Sequence, residues 1–140
     1  MQTFLPYRSF KKSARCLDTK RLGNQRNEAW VCLQTITGQS DGWKHHPAIL
    51  MWVGYESALR AYGRAICNEW RRRGYNDTML ERFDGPRIYR KPPWLGNEEF
   101  HSSHRANLLR KNPEWYGQFG WTEDPSSPYV WPTKLVSLRG

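Results

Sequence analysis

Arg21, Gln25, Glu28 and Cys32 follow one another at steps of four, three and four residues, a spacing that puts all four on one face of a helix. A core-facing stripe would be apolar, and this one is polar. Lys20, Arg21 and Arg26 surround it with positive charge, so Glu28 stands out as one anion on a cationic surface. The chemistry open to such a carboxylate is proton transfer beside an anionic substrate; the competing reading is a solvated helix face. Gly42-Trp43-Lys44-His45-His46-Pro47 places a ring, a cation and two imidazoles just before a helix start, where backbone donors and the helix dipole attract phosphate. His101 and His104 share a helix face at i, i+3 spacing and can reach one ligand together. A metal needs more ligands than this pair, and neither an HExxH nor a carboxylate-rich motif accompanies it. Trp115 and Tyr116, close to His104, Arg105, Arg110 and Lys111, either wedge into a duplex or seal the core. No GxGxxG, Walker loop or nucleophile elbow is present, which removes nucleotide-cofactor and serine-hydrolase readings.

The elements that must position these residues read as helices. Ser9 is suited to cap a short helix and Asp18 a longer one running toward Gly38. Pro47 stands where a helix's first turn accepts proline, and Ile49, Trp52, Val53, Leu59, Ile66 and Trp70 form an apolar stripe that ends near Arg71, Arg72, Arg73 and Gly74. One long helix is expected there, with Glu56 and Arg60 as a partly buried ion pair one turn apart. Prolines and glycines between Phe83 and Gly96 mark a loop. Asn97 caps a helix from Glu98 to about Lys111, which Pro113 closes, and irregular chain wraps the helices beyond Tyr116. No strand pattern is strong.

A chain of 140 residues with 22 Lys and Arg against 13 Asp and Glu, net +9, supports one domain over residues 1–140 and favours an anionic partner. Eight tryptophans add flat rings able to stack on unpaired bases, or to fill a core. No apolar run reaches about 18 residues and no apolar signal region opens the chain, so a soluble, cytoplasmic protein with no membrane contact is expected. Cys16, Cys32 and Cys67 are widely spaced and read as reduced, packed thiols.

Taken in order, Arg21-Leu22-Gly23-Asn24-Gln25-Arg26-Asn27-Glu28-Ala29, the Gly42 to Pro47 segment, Glu69-Trp70-Arg71-Arg72-Arg73-Gly74-Tyr75-Asn76, Phe100-His101-Ser102-Ser103-His104-Arg105 and Pro113-Glu114-Trp115-Tyr116 resemble the pyrimidine dimer DNA glycosylase family with AP lyase activity, the phage endonuclease V type. The resemblance implies a mostly α, compact single-domain helical bundle with long loops and an N-terminal segment inserted between helices. It implies an imine formed at the sugar C1′ by the first residue's α-amine, followed by strand cleavage through β-elimination. An α-amine has a reference pKa of about 7.7–8.0 against about 10.4 for lysine, so much more of it is an uncharged nucleophile near neutrality.

By spacing to the Gly42 to Pro47 segment, the family's essential glutamate falls on Glu28. Gln2 is bulky enough to keep Met1 in place, which makes Met1 the nucleophile. Gln2 and Asn27 stand where phage-type members carry arginine, so the substrate is set as a damaged or modified pyrimidine in double-stranded DNA without choosing the lesion. Expected DNA contacts are Gln2, Arg21, Gln25, Arg26, Trp43, Lys44, His45, His46, His101, His104, Arg105, Trp115 and Tyr116. No metal or organic cofactor is implied, and a monomer is expected. The alternatives are a basic DNA-binding module of the same fold without chemistry, and a histidine- or metal-dependent nuclease using His45, His46, His101 and His104.

Overall fold

The computed structural model describes residues 1–132. Among the described residues, six α-helices follow an extended N-terminal segment: α1 (Phe10–Cys16), α2 (Thr19–Ile36), α3 (Pro47–Leu50), α4 (Glu56–Arg72), α5 (Glu98–Lys111) and α6 (Pro113–Tyr116), with 3-10 turns at Leu80–Phe83 and Gly117–Phe119. No strand occurs among the described residues. The mostly α architecture and the inserted N-terminus are both present: Thr3, Phe4 and Leu5 are buried, and one apolar cluster joins Phe4 and Leu5 to Leu22 of α2, Leu59 and Ile66 of α4 and Leu108 of α5. Burying such side chains is the main source of stability.

Local chemistry sets the helix ends. Ser9 Oγ accepts from Lys12 N–H at 3.1 Å, Asn97 Oδ1 from Phe100 N–H at 3.0 Å, and Asn112 Oδ1 from Trp115 N–H at 3.1 Å, each satisfying a donor that the first helical turn leaves free. Asp18 precedes α2 without capping it; its carboxylate faces Arg21 and Tyr116 instead.

The long helix expected from Pro47 to Arg73 is two helices. Gly54 takes φ +86, a left-handed conformation that favours glycine, and the chain turns there between α3 and α4. Val53 lies on that turn and is 56% exposed, so it leaves the apolar stripe. Trp70 is half-buried, stacked on Tyr75 at 4.3 Å and close to Gly23, where an added Cβ would sit 3.1 Å from the indole. Close passage of α4 over α2 accounts for that glycine. Gly63 has a sharper reason: a Cβ there would lie 2.2 Å from the Phe83 ring, which outweighs the roughly 1 kcal/mol that glycine costs inside a helix.

Glu56 and Arg60 do pair, at 2.9 Å, but on the surface. The buried carboxylate of α4 is Glu69, held by Arg72 at 2.7 Å and Arg73 at 2.8 Å. Arg73 also donates to Leu17 O at 2.6 Å, tying the end of α4 to the link between α1 and α2. All three cysteines are free and buried, and burial pushes the Cys16 and Cys67 thiols up to about 12.

Candidate active site

Two sets of side chains grip the N-terminal segment. From α2 and α4, Gln25 Nε2 donates to Gln2 O at 2.8 Å, and Gln25 Oε1 accepts from Phe4 N–H at 3.1 Å. The Tyr62 hydroxyl lies 2.6 Å from Gln25 Oε1, and Phe4 N–H also donates to it at 3.0 Å. Trp52 Nε1 donates to Thr3 Oγ1 at 3.1 Å. From α5, His104 Nδ1 accepts from Leu5 N–H at 2.9 Å, His101 Nδ1 lies 2.8 Å from Leu5 O, and Arg105 donates to Pro6 O at 2.8 Å. Gly96 N–H donates to His101 Nε2 at 2.9 Å, which leaves the His101 proton on Nδ1, facing the Leu5 carbonyl. These bonds satisfy backbone groups that an isolated buried strand would leave unpaired.

The gripped segment ends in a cleft of about 200 Å³ lined by Met1, Gln2 and Phe4, by Lys20, Arg21, Asn24, Gln25 and Glu28 of α2, and by Lys111 at the end of α5. The α2 residues recur at helical spacing, so one face supplies the carboxylate and two cations. Met1 and Glu28 therefore line the same basic cleft. Glu28 is half-buried, and its charge helps push up the buried Cys32 thiol and Tyr62 hydroxyl behind it, both raised mainly by burial. Arg21 stays in the cleft wall while bonded to Asp18 at 3.3 Å.

The Gly42 to Pro47 segment approaches from the side. Burial and the Met1 amine's charge both hold His46 below its ordinary value. Its Nδ1 accepts from Ala48 N–H at 3.0 Å, so His46 caps α3 with its own side chain. A one-turn helix already capped in this way does not supply the phosphate site that the sequence suggests. Trp43 is 59% exposed at φ +60, packs edge-on to His46 at 5.8 Å, and stands with Lys44 and His45 on the surface.

Several expected DNA contacts turn out to serve the fold. Gln25, His101, His104 and Tyr116 are buried and bonded within the protein, which leaves them no face for a duplex. Tyr116 locks Asp18, donating to its carboxylate while accepting from its N–H at 3.1 Å. The Arg105 guanidinium is shared between Glu123 at 2.8 Å and Glu98. Arg26 points away from the cleft, pairing with Asp77 at 2.7 Å over the Trp70 ring. Trp115 is half-buried and donates to Cys16 O at 2.7 Å, so the Trp115-Tyr116 pair docks α6 onto the α1–α2 junction. His101 and His104 both hold Leu5, His46 caps α3 and His45 is exposed. Among the described residues no three of these histidines gather as a metal site, which counts against the metal form of the nuclease reading. Sequence reasoning missed Asn24, Lys111 and Tyr62. Tyr62 did carry a signal, since a hydroxyl at helical spacing between Leu59 and Ile66 must find a partner once buried.

His104 predicts a pH dependence. Burial lowers it from 6.5 to about 3, so below about pH 6.5 the unfolded chain binds a proton that the folded chain refuses, and stability falls with acidity by up to about 1.4 kcal/mol per pH unit. His101 is shifted the same way by burial, whereas the lowered carboxylates Glu69, Asp77 and Glu123 matter only below about pH 4.5. Urea melts from pH 7 to pH 5 should lose stability steadily. His104→Asn, which keeps an acceptor for Leu5 N–H, should flatten that slope by up to one proton; an unchanged slope would contradict the assignment.

Among the described residues no helix is long and apolar enough to cross a membrane, and no group of three or more His, Cys, Asp or Glu is placed to hold a metal. No curated protein and no solved structure matches the chain. A family model for pyrimidine dimer DNA glycosylase matches residues 1–82, a span that holds the gripped N-terminal segment, α2 with Glu28, and α3 and α4. The resemblance at Phe100–Arg105 and Pro113–Tyr116 lies outside the matched span. With more than half of its length matched, the chain belongs to the pyrimidine dimer DNA glycosylase family.

Proposed function

We propose that the Met1–Glu28 cleft excises a damaged or modified pyrimidine from double-stranded DNA and then cleaves the strand as an AP lyase. The observation that carries this reading is that Met1 and Glu28 line one small basic cleft with Lys20, Arg21 and Lys111. The uncharged α-amine of Met1 adds to C1′ of the nucleotide as the glycosidic C1′–N bond breaks. Opening of the sugar ring, with its oxygen taking a proton, leaves an iminium linking C1′ to the protein. Loss of a C2′ proton to a base then drives β-elimination, breaking the C3′–O bond with phosphate as the leaving group.

Glu28 is the group placed to take and return protons and to offset positive charge developing at C1′. Lys20, Arg21 and Lys111 balance the phosphates of the reacting strand. Trp43, Lys44 and His45, exposed beside His46, meet the duplex next to the extruded nucleotide, with Gln2 in the cleft wall. The scheme calls for no metal or organic cofactor.

Incubation with borohydride and duplexes carrying a pyrimidine dimer, an abasic site or a modified pyrimidine should give a covalent adduct, and peptide mapping should place it on residue 1. Failure to trap any adduct on all three substrates, with DNA binding intact, would favour the non-catalytic binding module.

A further inference from the structure

A second basic cleft, far larger than the first at about 1090 Å³, lies between α1, the outer face of α4 and the loop after the first 3-10 turn. It shares no lining residue with the Met1–Glu28 cleft. Arg8, Lys11, Lys12 and Arg15 line it from the N-terminal segment and α1, Arg64 and Arg72 from α4, and Arg87 and Lys91 from the loop. The one carboxylate in the lining, Glu69, is buried and already held by Arg72 and Arg73.

Arg8, Lys11, Arg15, Arg87 and Lys91 are exposed and have no carboxylate partner among the described residues. Their charges also converge. A Cβ added at Gly96 would meet Lys91 Nζ at 3.3 Å and Arg8 Nε at 3.6 Å, so two cations border one point with no anion between them. Arg64 spends its donors on neutral acceptors, Phe83 O at 2.7 Å and Pro86 O at 3.2 Å, and no carboxylate bonds to it, although Asp84 offsets part of its charge from a distance. Burial, with the nearby Arg87 charge, accordingly holds Arg64 below its ordinary value. Like charges gathered this way repel one another, and a polyanion relieves the repulsion by releasing its own counterions as it binds.

We infer that this cleft is a second DNA-binding site, holding the phosphate backbone of duplex DNA without reading its sequence. The inference rests on the reading of the chain as an enzyme of duplex DNA, and adds an anchoring surface that takes no part in the chemistry. Residues 1 to 8 connect the two clefts, and a chain of that length spans at most about 25 Å. The small cleft holds the reacting nucleotide, while the large one holds backbone elsewhere on the DNA.

The test is a variant carrying Lys11→Ala, Lys12→Ala, Arg87→Ala and Lys91→Ala, all exposed positions. It is compared with wild type and with a control carrying Arg71→Ala and Arg90→Ala, exposed cations outside both linings. Binding to undamaged duplex is measured as a function of salt, and excision as a single-turnover rate at saturating protein. The plot of log affinity against log salt should become shallower by about 2 to 4, at about 0.9 for each phosphate no longer neutralised. Affinity at low salt should fall at least about tenfold, the saturated excision rate should hold, and the control should change little. An unchanged slope in a folded variant overturns the inference alone. So does a control whose slope drops as much per charge removed, because bulk charge then explains the loss. A wild-type protein that binds no duplex overturns both this inference and the enzymatic reading.

Discussion

Glu28→Gln is expected to slow single-turnover excision about 10²- to 10⁴-fold, the range that a positioned acid/base supplies, while leaving affinity for lesion-containing duplex within about twofold. The substitution keeps the side chain's shape and removes its charge and its ability to take up and release a proton. Binding survives because Lys20, Arg21 and Lys111 remain in the cleft wall and one fewer anion faces the phosphates. The fold survives as well, since Glu28 is half-buried and a neutral amide beside Cys32 and Tyr62 is easier to desolvate than a carboxylate. Rates measured at saturating protein separate the chemical step from binding. A loss of less than about threefold with normal trapping would move the proton-transfer role to another group and leave the Glu28 charge with no part in the rate.

The face of α2 that lines the Met1–Glu28 cleft was the legible part of this molecule, for a physical reason. Arg21, Gln25 and Glu28 lie on one helix, where periodicity alone decides which residues share a face. Their meeting with Met1 is not periodic; it depends on an extended segment crossing three helices, and only the family resemblance pointed to it. Gln25 belonged to the polar stripe as read, yet its amide faces the N-terminal segment rather than DNA. A stripe shows which residues share a face without showing what that face meets.

His101, His104 and Arg105 teach the same lesson on α5. The spacing of His101 and His104 gave their shared face, but residue type suggested a phosphate partner where the structure supplies Leu5 to the histidines and Pro6 to Arg105. Polar side chains in a basic chain look like ligand contacts until the backbone groups needing satisfaction are counted. The break at Gly54 was hidden differently: the apolar spacing runs through it, and a glycine inside a helical pattern does not reveal its φ from sequence. The large basic cleft draws cations from four stretches of chain, each of which reads as an ordinary solvated face on its own.

Gln25→Leu is the second large effect expected, and it asks whether gripping the N-terminal segment matters for chemistry or only for folding. Leucine fills nearly the same volume but makes none of Gln25's bonds, so Gln2 O loses its donor and Phe4 N–H keeps only the Tyr62 hydroxyl. Stability should fall by about 2–4 kcal/mol, as expected when buried polar groups lose partners. Well below the melting temperature, where the variant remains folded, the saturated excision rate should still fall about 10- to 100-fold, because the α-amine is no longer held on line with C1′. Affinity for duplex should stay near wild type, since Gln25 presents no face to it. Gln25→Glu sharpens the comparison: it keeps the acceptor for Phe4 N–H while setting a carboxylate oxygen against the Gln2 carbonyl, so the segment is pinned at residue 4 and repelled at residue 2. If amine placement governs the rate, this variant is as slow as Gln25→Leu despite the bond it retains. Were both variants to lose stability while keeping the wild-type rate, Gln25 would be a folding residue alone, and the amine's position would have to be set by the α5 contacts to Leu5 and Pro6.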